Sequence, residues 1–189
     1  MKWEDGIAYA RDVALGNIDV CKDVQLACQR FLNQLENKEW KWEFKPEYVD
    51  HVLRFVGQVR HVKGSMAGKP MVLIPFQILL MCAIYGFRDK KDPNKRMVQD
   101  VILFIPRKAS KSTLISIISL YELLFGEAGS EVYCTAVNRE QASIVFDTAK
   151  GIVEAMPPQM AAQYQSYRHE IKKASDSQSK FMALSRDSK

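Results

Sequence analysis

No uncharged apolar run in this chain reaches the roughly 20 residues that a membrane-crossing helix needs. The opening Met1-Lys2-Trp3-Glu4-Asp5 puts charge where a signal peptide carries its apolar core. Both absences predict a soluble protein that stays where it is made. Metal ligands are sparse as well. His51, His61 and His169 are scattered, and Cys21, Cys28, Cys82 and Cys134 contain no Cys-x-x-Cys pair. Cys21 and Cys28 stand two helical turns apart, yet no His or acidic residue completes a metal set with them. All four cysteines fall in apolar patterns, which predicts buried, reduced thiols of the kind cytosolic proteins keep. No internal repeat and no low-complexity tract is present, which excludes a repeat array or a compositionally biased linker.

What is there suffices for one substantial core. With 189 residues and 47% hydrophobic content, the chain predicts one globular unit with a helical extension rather than two independent domains. The 27 Lys+Arg against 22 Asp+Glu leave a net charge of +5, which suits a polyanionic partner and equally a merely solvated basic surface.

The chain is organised around one stretch. The apolar run Val101-Ile102-Leu103-Phe104-Ile105 breaks into Pro106-Arg107-Lys108-Ala109-Ser110-Lys111-Ser112-Thr113 and resumes as Leu114-Ile115-Ser116-Ile117-Ile118-Ser119-Leu120. Nearly continuous Val/Ile/Leu/Phe content predicts that residues 101–105 form a strand buried on both faces, in the middle of a parallel sheet, with a helix following through Phe125. Lys-Ser at the end of a loop between such a strand and helix is the context in which nucleoside phosphates and magnesium are held.

Around it, helical spacing marks Val20, Val24, Ala27, Cys28, Phe31, Leu32 and Leu35 as one face of a helix, with Asp19 as its cap. Pro46 opens a second helix whose face is Val49, Val52, Leu53, Val56 and Val59. Between them, Trp40-Lys41-Trp42-Glu43-Phe44-Lys45 alternates as a short extended segment, its aromatics read as packing rather than base stacking. A turn-rich loop follows at residues 63–70, and Pro75 opens a nearly all-apolar helix through Tyr85, ended by Gly86. Gln77 is the strongly polar side chain of that helix. It requires a hydrogen-bond partner, either a neighbouring carbonyl or an adenine edge near the phosphate loop. Residues 88–96 lack any apolar period and predict an exposed connection. Beyond the central helix, Val132–Val137 reads as an inner strand. Asn138 with Gln141 gives a capping-box-like start to a helix packing through Ala142, Val145, Phe146, Ala149, Ile152 and Val153, which Pro157-Pro158 stops. Residues 165–179 are poorly patterned, with His169-Glu170-Ile171 a short strand candidate, and Phe181–Leu184 reads as a third strand. Strand, helix, strand, helix predicts a parallel α/β core.

The general phosphate-loop pattern G-x-x-x-x-G-K-[ST] uses two glycines so that backbone N–H groups can curl around phosphate oxygens. Aligned on Lys111-Ser112, Ile105 and Ser110 occupy those glycine positions. The context nevertheless retains a strand before, a helix N-terminus after, and the Lys-Ser-Thr order. A left-handed Ser110 would carry about 1–2 kcal/mol of strain. By the chemistry of phosphoryl transfer, Lys111 would hold the β- and γ-phosphates of a nucleotide and Ser112 would ligate Mg2+, with Thr113 nearby.

The run Phe104–Leu114 resembles the deviant Walker A loop of the large terminase subunit of tailed bacteriophages, which typically reads Arg-Lys-x-Gly-Lys-Ser/Thr. Further stretches fit the same family in order: Pro75-Phe76-Gln77 resembles its adenine-recognition segment, Thr135–Ala142 the strand-to-helix segment after the loop, and Phe181–Ser188 the strand ahead of Walker B. The resemblance implies a P-loop NTPase-type parallel sheet flanked by helices, with a helical extension at residues 1–70 and an incomplete ATPase core at 71–189, truncated before the Walker B acids and the nuclease domain. It implies ATP binding along Pro106, Arg107, Lys108, Ala109, Ser110, Lys111, Ser112 and Thr113, with Gln77 reading adenine, Arg107 sensing or stabilising the γ-phosphate, and Arg186 as an arginine finger to a neighbouring subunit. It implies ATP hydrolysis driving double-stranded viral DNA into a procapsid in the host cytoplasm, through a homo-oligomeric ring, with portal protein and small terminase subunit as partners and no membrane. The alternative is a non-catalytic DNA- or protein-binding module whose altered loop takes no nucleotide. A small-molecule P-loop kinase would need an arginine-rich substrate lid, which is not evident.

Overall fold

The first helix, α1 (Trp3–Ala14), begins where Asp5 folds back: its carboxylate accepts the Lys2 amide at 3.1 Å, and Glu4 and Asp5 place negative charge at the positive helix end. Its Ile7, Ala10 and Val13 are buried. α2 (Lys22–Glu36) buries Cys28 and Phe31. The cap expected at Asp19 does not form, because the chain stays extended through Cys21, the true N-cap, whose side chain accepts no capping bond. Cys21 is exposed and Cys134 half-buried, which corrects the expectation of four buried thiols; only Cys28 and Cys82 are buried.

The structure, a computed structural model, describes residues 1–136 and 138–185. Its contacts divide the chain into two units, Met1–Arg54 with Val72–Leu103, and Phe55–Met71 with the chain from Phe104 on. In the first unit, β1 (Trp42–Phe44) pairs antiparallel with β2 (Phe87–Asp89). The aromatics pack as expected: Phe44 meets Phe87 edge-on at 5.4 Å and Phe31 at 6.2 Å. Residues 88–96 are not wholly an exposed connection, since Arg88 is buried, its guanidinium 3.8 Å over the Tyr48 ring and its Nε donating to the Tyr85 carbonyl at 3.0 Å. α3 (Pro46–Val56) starts on its proline, and Val49, Val52, Leu53, Val56 and the following Val59 are all buried. α4 (Pro75–Tyr85) crosses α1 closely. A Cβ on Gly6 would stand 2.7 Å from the Leu79 amide nitrogen, so only glycine fits this crossing.

The second unit holds α5 (Lys111–Phe125), β3 (Glu131–Ala136), α6 (Arg139–Ala155), α7 (Pro158–Ala161), β4 (Tyr164–Ser166), β5 (Glu170–Lys173) and β6 (Asp176–Ser185). Among the described residues the sheet order is β3-β6-β5-β4, with β3 and β6 parallel and the other pairs antiparallel. The α/β class stands, and the sheet is mixed. Residues 164–185 turn back on themselves as a meander instead of returning through a crossover helix. Val132, Phe181 and Ile171 are cross-strand neighbours, and Phe146 of α6 lies 5.5 Å from the Phe181 ring. Asp176 fastens the turn into β6: its carboxylate accepts from the Gly129 amide at 2.8 Å and the Ser179 hydroxyl at 2.6 Å. Those donors, Ser179 first, hold the Asp176 pKa below the ordinary carboxylate range, at about 2.

The strand expected at residues 101–105 does not form. Ile102 is 95% and Phe104 100% exposed, and neither carries ladder partners. Strand composition is not sufficient; a strand exists only by pairing, and among the described residues no edge is paired to this run. Val137, expected as the end of β3, and Arg186 lie outside the described residues. No described helix is long and apolar enough to cross a membrane.

Candidate nucleotide-binding loop

The loop from Pro106 to Ser110 turns onto α5 through two non-glycine residues in the left-handed region, Lys108 at φ 67° and Ser110 at φ 58°. The strain anticipated for a serine at the glycine position is thus present, and Lys108 adds a second strained site that residue pattern alone does not show. Left-handed residues next to a helix start turn successive backbone N–H groups toward one side, the concavity that takes anions. Ser110 is the N-cap of α5, its side chain makes no capping bond, and its carbonyl accepts the Leu114 amide at 2.9 Å. The amides of Lys111, Ser112 and Thr113 precede Leu114, the first amide that donates within the helix, so they and the positive helix end are available to an anion.

Lys111 folds over this loop. Its Nζ donates to the carbonyl oxygens of Ile105 and Pro106, both at 2.7 Å. Nothing acidic is bonded to it in these contacts, so the ammonium rests on neutral carbonyls that a phosphate, carrying full charge, can replace. Arg107 and Lys108 are exposed beside it, Ala109 is half-buried, and Ser112 and Thr113 are half-buried in the first turn of α5. Loop residues 106–113 are therefore brought together as one basic, donor-rich turn.

Gln77 belongs to the first unit, in the first turn of α4, and is buried to 8% exposure. Its carboxamide oxygen accepts the Ile74 amide at 3.2 Å, so the partner seen is a neighbouring backbone N–H, where either a neighbouring carbonyl or an adenine edge was expected. Asn138 caps α6 as its spacing suggests, accepting the Gln141 amide at 2.9 Å. One residue of the site region carries no sequence signal. Ser116 lies in a run of apolar residues, where only the three-dimensional path of α6 reveals what its hydroxyl touches.

A sequence profile of the family described as the terminase large subunit, ATPase domain, matches residues 75–189. The large terminase subunit of Enterobacteria phage HK97 is 36% identical over 97 residues, 50% of this chain and 18% of that protein. The crystal structure of the HK97 bacteriophage large terminase superposes with a TM-score of 0.60 at 27% identity, covering 75% of this chain and 28% of that one. The chain thus spans well under a third of the length of these relatives. A basic loop running onto a helix N-terminus, and a family match that includes it, place this chain in the terminase large-subunit ATPase-domain family.

Proposed function

We propose that this chain is the nucleotide-binding part of a DNA-packaging motor, in which ATP hydrolysis drives double-stranded viral DNA into a procapsid. The observation that carries the reading is the left-handed turn leading into α5 with Lys111 folded across it. Phosphoryl transfer asks little covalent chemistry of a protein and much positioning and charge neutralisation, which is what this turn is built to supply. The donor set fits a nucleotide triphosphate with Mg2+, whose bound form supplies the phosphoanhydride and the charge-neutralising cation. Lys111 would exchange the Ile105 and Pro106 carbonyls for β- and γ-phosphate oxygens, and the Ser112 hydroxyl, next to Thr113 in the chain, would hold the cation. The backbone from Pro106 through Ser110, with Lys108 and Ala109, lines the phosphates, and Arg107 senses or stabilises the γ-phosphate. From the family resemblance, Gln77 reads adenine and Arg186 serves a neighbouring subunit as a finger. The same resemblance supports an ATPase core beginning at residue 71, a homo-oligomeric ring, portal protein and small terminase subunit as partners, and action in the host cytoplasm. The net charge of +5 is consistent with a DNA partner.

The strain at Lys108 and Ser110 favours one rival, a binding module whose loop has lost nucleotide. Thermal unfolding separates the two. MgATP at a hundred times its Kd adds ~2.7 kcal/mol, a rise of roughly 5–10 °C for a domain of this size. Lys111→Ala should abolish the rise. No rise in the unsubstituted protein, with unfolding still cooperative, would put the binding module first.

A further inference from the structure

Ser116 is a hydroxyl in an apolar seam. It is fully buried, its α5 neighbours Leu114, Ile117 and Leu120 are buried, and so are Ala142, Phe146 and Ala149 of α6. Its Oγ stands 2.8 Å from the Ser112 carbonyl one turn back and also 2.8 Å from the Val145 carbonyl of α6. A buried serine that bonds only to its own helix is common and mildly bends it. Here the single hydroxyl proton is shared with a carbonyl of a second helix, which ties two elements together. Alanine would fill the seam with no polar group to satisfy, so helix packing alone does not call for serine at this position.

The tie has a fixed end and a functional end. α6 is anchored by its Asn138 cap and by Phe146 against Phe181 of the sheet. Ser112, at the other end, is the proposed cation ligand. We propose that Ser116 is a positioning residue for the nucleotide site: its shared hydroxyl references the first turn of α5 to α6 and holds Ser112 where its side chain can ligate Mg2+. This rests on the nucleotide-binding reading above. A ligand displaced by a fraction of an ångström loses much of its effect at a site whose work is positioning.

The test is the affinity for ATP measured by calorimetry with Mg2+ and, separately, with EDTA. The quantity of interest is the gain in affinity that Mg2+ confers. In Ser116→Ala this gain should fall about tenfold, as in Ser112→Ala, while affinity without the cation stays within about twofold, since the lysine and the loop amides are untouched. A purely structural role would lower both affinities together or neither, and either pattern overturns the inference. Where Ser116→Ala does not unfold cooperatively, Ser116→Cys keeps the volume with a weaker donor; a reduced gain supports the role and an unchanged gain removes it. An unsubstituted protein that binds no ATP removes the nucleotide reading and this role with it, whereas binding with an unaltered gain in both variants removes only the role of Ser116.

Discussion

Ser110 occupies a backbone position that an L-residue enters only at a cost, since its Cβ is pushed toward the following carbonyl at φ 58°. Ser110→Gly removes that contact, and the extra freedom glycine gains in the unfolded chain offsets part of the benefit. The expected net result is a protein about 0.5–1 kcal/mol more stable, read as a higher midpoint in urea. Lower stability would mean that the serine hydroxyl makes a contact worth more than the strain. Lys111 is held differently, by two carbonyls and by no carboxylate in those contacts, which makes it both ordered and displaceable. At this scale the place of the loop was legible, because Lys-Ser-Thr after a turn marks a helix start, and α5 does begin at Lys111. The left-handed Lys108 was not legible, since nothing in an exposed lysine announces its φ.

Among the elements, α1 and α4 show how a contact can depend on one missing side chain. Gly6→Ala would set a Cβ 2.7 Å from the Leu79 nitrogen and 2.9 Å from the Ile78 carbonyl carbon, both backbone, so the helices must separate. Overpacking of this kind costs typically 1–3 kcal/mol, and chemical denaturation should show about that loss. A loss below 0.5 kcal/mol, the scale of ordinary surface changes, would mean that the crossing is loose. The helices with long apolar stripes, such as α3, were readable because period 3.6 survives any tertiary context. The meander of β4, β5 and β6 was only partly readable. Its residues 170–173 alternate weakly, and the turn into β6 is set by Asp176 bonding to Gly129, 47 positions away.

At the scale of the whole molecule, the apolar run Val101–Ile105 carries two of the most exposed hydrophobic residues described, Ile102 and Phe104. Phe104 is already fully in solvent, so Phe104→Ala should change stability by no more than about 0.5 kcal/mol, the range for surface positions. A residue in the buried strand that composition suggests would cost about 3–5 kcal/mol. A denaturation midpoint near the smaller figure supports the exposed conformation; one near the larger would require residues 101–105 to be packed. Exposed Ile102 and Phe104 together also add an apolar surface of the sort that polypeptides normally cover.

Local rules, which act over one turn of helix or a few residues of loop, determined helices α2 to α6, the α6 cap, the strained serine and the lysine-bearing loop, because each depends on near neighbours in the chain. Tertiary structure alone decided which apolar runs find a partner strand, which crossing demands glycine, and that the Ser116 hydroxyl reaches the Val145 carbonyl 29 residues on. Those outcomes depend on where distant backbone groups come to lie, and hydrogen bonding and close packing can select among such positions only once the chain has folded.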